Sequence, residues 1–122
     1  MVEVLQRGDW SYGDPHGVVV IDVRRHALCD FEITILMRSA TSPEAKRWRF
    51  ERLVYWDAGT AHIDTDQSDD SQRALGTELT WQVPTIGIDP DQRLAVAINP
   101  SATEGSFGTW IVRVNNLQRS VF

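Results

Sequence analysis

The chain has 122 residues, 42% of them hydrophobic and 24% charged, which suits one domain with its own core and excludes a disordered chain. A net charge of −5 excludes the broad basic face that a general nucleic-acid binder needs. The single cysteine, Cys29, excludes an intrachain disulfide.

Val2 to Leu5 reads as a short first strand. Gly8 to Gly17, GDWSYGDPHG, is rich in turn formers and reads as loop, carrying Trp10 and Tyr12. Val18 to Arg24 is expected as the second strand, with Val19, Ile21 and Val23 in one row. Leu28 to Arg38 follows with the cleanest alternation: Cys29, Phe31, Ile33, Ile35 and Met37 against Asp30, Glu32 and Thr34. A strand's side chains change face at every residue, so one face belongs to a core and the other to water.

Ser42-Pro43-Glu44 has the chemistry of a helix start, so one helical turn is expected near 43–46. From about residue 47 to 57, Trp48, Phe50, Val54 and Trp56 share one face, with Arg52 interrupting it. Aromatic and β-branched residues favour a strand here. Gly59 breaks the chain, and Thr60 to Thr65 is expected as a short strand. Asp64 to Ser71 is polar and acidic, a solvated loop. Ser71 to Leu75 reads as a helical turn stopped by Gly76. Thr77 to Val83 alternates as a strand, and Ile86 with Ile88 as another. Asp89-Pro90-Asp91 is a turn.

Leu94, Val96 and Ile98 then alternate with Ala95 and Ala97. Trp110, Val112 and Val114 alternate with Ile111 and Arg113. The two runs flank a polar segment, Asn99 to Ser106, and are expected to pair as an antiparallel hairpin. Residues 115–122 are a possible docking tail. The whole predicts a single all-β domain over residues 1–122. It would be an antiparallel β-sandwich or flattened barrel of about seven to nine short strands, with at most one or two helical turns.

Chemistry is sparse. Cys29 opens an apolar row and reads as core rather than as a reactive thiol. No nucleophile elbow, phosphate-binding glycine loop, H-E-x-x-H or C-x-x-C is present, so no catalytic residue is assigned and an enzyme is not expected. Asp64, Asp66 and Ser68 have the spacing of the first ligands of a Ca²⁺ loop, with Asp70 close by. The sixth position of that motif is Asp69 where Gly is needed, and the twelfth is Leu75 where Glu is needed. No metal or other cofactor is therefore expected; Asp64, Asp66, Ser68 and Asp70 are the residues to test for Ca²⁺. The pairs Asp14 with His16 and His62 with Asp64 would hold an ion only if the fold brought them together.

Interaction is the better-supported class. Trp48, Arg52 and Trp56 share a strand face, and Trp and Arg dominate interface hot spots. The competing reading puts those tryptophans in the core. Ser101, Thr103 and Glu104 lie in a long loop, a usual place for binding. Val121 and Phe122 end the chain with two apolar residues that can dock on this domain or on a neighbour. The expected function is non-enzymatic protein–protein interaction or assembly, with a protein partner or a second copy, no nucleic acid and no membrane. One alternative is an immunity-type protein that neutralises a toxin with its acidic 57–70 segment. Another is a carbohydrate- or small-ligand-binding module stacking on Trp48 and Trp56. MVEVLQRGDW lacks a basic segment followed by an apolar run and is not expected to be a signal peptide. The expected location is the cytoplasm, or a particle assembled there.

Overall fold

The computed structural model describes residues 2–11, 18–23, 28–39, 43–76, 83–97 and 106–118. These residues form nine strands: β1 (Val2–Ser11), β2 (Val18–Ile21), β3 (Leu28–Ser39), β4 (Ala45–Asp57), β5 (Thr60–Ile63), β6 (Ser71–Leu75), β7 (Thr85–Ile88), β8 (Leu94–Ala97) and β9 (Ser106–Gln118). The expectation of an all-β antiparallel sandwich is met. The larger sheet runs β1-β9-β3-β4-β5, with β6 also on β4, and the smaller runs β2-β8-β7; every pairing is antiparallel. Among the described residues no helix is long and apolar enough to cross a membrane.

The core forms where the alternation of β3 directs it. Cys29, Phe31, Ile33 and Ile35 are fully buried, joined by Trp48, Phe50 and Val54 of β4 and by Val112 and Val114 of β9. Ile21, Leu94 and Val96 of the smaller sheet, with Val23 just past β2, complete the same cluster. Each such side chain removed from water contributes about 1.5–3 kcal/mol before entropy is counted.

Four expectations are corrected. The hairpin between the 94–98 and 110–114 runs does not form: β8 pairs with β2 and β7, whereas β9 pairs with β1 and β3. The two apolar rows meet through the core from opposite sheets rather than side by side in one. The segment read as loop from Gly8 is strand as far as Ser11, because β9 offers it a full antiparallel partner. Gly8 is needed there for close approach: a Cβ on it would lie 2.7 Å from the Trp110 ring. Neither helical turn forms. Ala45 and Lys46 begin β4, and Ser71–Leu75 is β6, paired along β4 from Ala45 to Arg49. The start of the expected docking tail is also strand, since β9 continues to Gln118 alongside β3. Of the predicted strand over 77–83 and the polar segment over 99–106, residues 77–82 and 99–105 lie outside the described residues, and Ser106 begins β9.

Candidate interaction face

The edge of β4 is shared between two short strands. β6 pairs with residues 45–49, and β5 pairs with residues 54–57. The gap between them is filled by the 64–70 loop. Asp64 N–H donates to the Leu53 carbonyl at 2.9 Å, and Glu51 N–H donates to Asp70 Oδ1 at 3.2 Å. Asp70 is held in turn by Arg52, through Nη1–Oδ1 at 2.6 Å and Nη2–Oδ2 at 2.9 Å. Asp64 and Asp66 accept the amides of Asp66 and Ser68. The acidic loop is thus tied to itself and to the sheet edge. Among the described residues no group of three or more His, Cys, Asp or Glu is placed to hold a metal ion.

Trp48, Arg52 and Trp56 do share one face of β4, as expected, but that face is the core. Trp48 is 1% exposed and Arg52 7%, while Trp56 packs partly buried against the cluster. The correction follows from the size of the core: a sandwich this small needs its large aromatics inside. Trp48 therefore offers no ring face to a sugar. His62 stacks on Tyr55, with centroids 4.5 Å apart. Ser101, Thr103, Glu104, Val121 and Phe122 lie outside the described residues, as do Asp14 and His16.

The opposite, outward face of the larger sheet carries the unusual chemistry. Register places Asp9, Thr109, Leu36, Arg47 and Arg73 in one row across β1, β9, β3, β4 and β6. The next row brings Phe107, Arg38, Ala45 and Leu75 together. These two rows line a groove of about 730 Å³. Its apolar residues are open to water: Leu36 is 43% exposed, Phe107 39% and Leu75 68%. Arg38 lies over the Phe107 ring, 5.2 Å from the centroid. Arg47 and Arg73 stand directly opposite each other, and neither has an ion pair among the described residues. Arg47 Nε is also shielded from solvent without a hydrogen-bond partner among the described residues. Like charges directly opposite on paired strands destabilise a sheet, so the arrangement is costly unless an anion meets it.

Toward the other end of the same face the sign reverses. In the middle, Glu32 is shared by Arg49 at 3.1 Å and Arg113 at 3.4 Å. Beyond it, Asp30, Glu51, Asp64, Asp66 and Asp69 surround a cleft of about 160 Å³ with Leu53 and Arg52. Burial, then the charges of Asp69 and Glu32, push the Asp30 carboxyl above its ordinary value. Burial, then Asp30, Asp69 and Glu32, push Glu51 up, partly offset by Arg49.

No family model matches this chain, and no curated protein matches it. A solved structure shares the fold. It is the crystal structure of Acinetobacter baumannii phage AM24 tailspike protein, similar over 99% of this chain at a TM-score of 0.51 and 13% identity. This chain spans 27% of the length of that one. At that identity the likeness speaks to the fold alone.

Leu36, Arg47, Arg73, Leu75 and Phe107 were not singled out by sequence reasoning. One signal was legible: Leu36 continues the row of Asp30, Glu32 and Thr34, an apolar residue where the pattern demands a polar one. Arg73 and Leu75 gave none, because an edge strand exposed along its whole length has no alternation to read.

Proposed function

We propose that this domain is a non-enzymatic interaction and assembly module, made in the cytoplasm, that docks through the outward face of its larger sheet. The observation that carries the reading is the Arg47–Arg73 couple, without an ion pair among the described residues, set beside exposed Leu36, Leu75 and Phe107. Clustered apolar side chains rimmed by charge mark docking surfaces. Arg beside aromatic and aliphatic anchors is the composition of interface hot spots. The fold likeness to part of a phage tailspike protein supports a module built into something larger.

The test is hydroxyl-radical footprinting of the isolated chain and of the assembly purified from its source. Protection of Leu36, Leu75 and Phe107 in the assembly is expected. Equal reactivity in both samples rejects the reading. The acidic end favours one second reading, the immunity-type protein facing a basic toxin site. A captured partner whose binding falls steeply with salt, and which is lost on Glu51→Lys but not on Arg47→Glu, selects it.

A further inference from the structure

The two ends of the outward face are complementary to each other. On β4, Arg47 and Glu51 lie two residues either side of Arg49, and on β3, Arg38 and Asp30 lie four residues either side of Thr34. Thr34 and Arg49 are a register pair. The basic groove and the acidic cleft thus sit over the same strands, separated along them.

A twofold axis lying in the plane of the face, across the strands and over Thr34–Arg49, turns one end onto the other. We infer that the occupant of the groove is a second copy of this chain, packed face to face in that antiparallel sense; this rests on the docking face proposed above. Arg47 and Arg73 of one copy then meet Glu51 and Asp69 of the other, and Arg38 meets Asp30. The interface is isologous, so each such contact is made twice. A twofold axis along the strands over β3 would instead leave Arg47 opposite Thr109 and set Arg38 and Asp30 each against its own copy, which like charges disfavour. Arg49 lies close to the axis and faces its own copy there, each screened by the Glu32 that it shares with Arg113.

The area is adequate. Five strands at about 4.8 Å spacing and roughly nine residues at about 3.3 Å give on the order of 700 Å² per copy. A standard interface buries about 800 Å² per partner.

The test is sedimentation velocity on the purified full chain at low and high salt, with two charge-reversed variants. One carries Arg47→Glu and Arg73→Glu; the other carries Glu51→Lys and Asp69→Lys. The wild type is expected to dimerise, more weakly at high salt. Each variant alone is expected to self-associate at least about tenfold more weakly, because both contacts become repulsive. An equimolar mixture of the two is expected to regain the dimer, since one copy is then acidic at both ends and the other basic. Near-UV circular dichroism checks their packing, and the milder Arg47→Gln, Arg73→Gln pair should weaken the dimer in the same direction. A wild type that stays monomeric at low salt overturns the inference, as does a mixture that stays monomeric or a reversed variant that dimerises normally. If the monomer's Leu36, Leu75 and Phe107 are nevertheless protected in the source assembly, the docking face stands with a different occupant.

Discussion

Arg52 and Asp70 form a two-point ion pair that holds the 64–70 loop in the gap between β5 and β6. Arg52 Nη1 also donates to the Glu51 carbonyl, at 2.6 Å. The side chains are only 8% and 17% exposed, so neither charge is well solvated without the other. Breaking a largely buried pair from one side costs about 3–5 kcal/mol, because the remaining charge is stranded. Arg52→Ala and Asp70→Asn are each expected to destabilise by roughly that amount, less whatever water recovers. Urea unfolding of both single variants and the double variant checks it. A double variant no worse than either single one shows the coupling, whereas additive losses refute it.

The β4–β5 hairpin turns on Ala58 and Gly59, both left-handed, at φ 49° and 84°. Asp57 and Thr60 pair across it, leaving a two-residue loop of the kind that requires positive φ twice. Alanine is strained there by its Cβ, by about 1 kcal/mol. Ala58→Asn is therefore expected to stabilise by about 0.5–1 kcal/mol, and Ala58→Gly by less, since glycine also loosens the unfolded chain. Midpoints of urea denaturation decide it, and a destabilised Ala58→Asn rules the account out.

Sequence patterning revealed faces far better than neighbours. The alternation of β3 identified five core side chains correctly, and the interruption at Arg52 was a true buried charge. The same alternation in 94–98 and 110–114 suggested a hairpin, because a core row looks identical whether its partner is beside it or opposite it. Strand order is decided by long-range pairing, which single-strand periodicity does not encode. Gly8 and Asp9 looked like turn residues, and tertiary pairing with β9 overrode that propensity. The docking face was nearly silent for a related reason. Arg38, Arg47, Arg73 and Phe107 come from four strands and become a groove only once register aligns them.

Trp48 separates a structural tryptophan from a ligand platform. It is among the largest fully buried side chains, and its Nε1 has no hydrogen-bond partner among the described residues. Trp48→Ala is expected to cost about 3–5 kcal/mol through the cavity it leaves. Trp48→Phe keeps most of the apolar volume and gives up no indole hydrogen bond, so about 1–2 kcal/mol is expected. Surface association should be unchanged in Trp48→Phe at temperatures where it stays folded. A variant that is fully stable yet loses association would return Trp48 to the surface.

Acidification should act in two opposite steps. Asp30 and Glu51 have folded-state values raised above 3.8 and 4.5 by burial and by neighbouring carboxylates. A raised carboxyl takes up its proton more readily in the folded state, so its ionisation opposes folding. Stability is expected to rise as pH falls from neutral into the raised range of these two groups. Asp66 and Asp89 behave in the other sense, held below 3.8 chiefly by backbone hydrogen bonds from Ser68 and Arg93. Their contribution is present above 3.8 and is lost as pH falls through their lowered values. The melting temperature should therefore pass through a maximum on the acid side of neutral. Asp30→Asn with Glu51→Gln is expected to raise the melting temperature at neutral pH and to flatten the rise toward that maximum. Thermal melts from about pH 7 to pH 3 check this; a steady decline across the first two units in the wild type, shared by the double variant, would mean that the acidic end carries no repulsion.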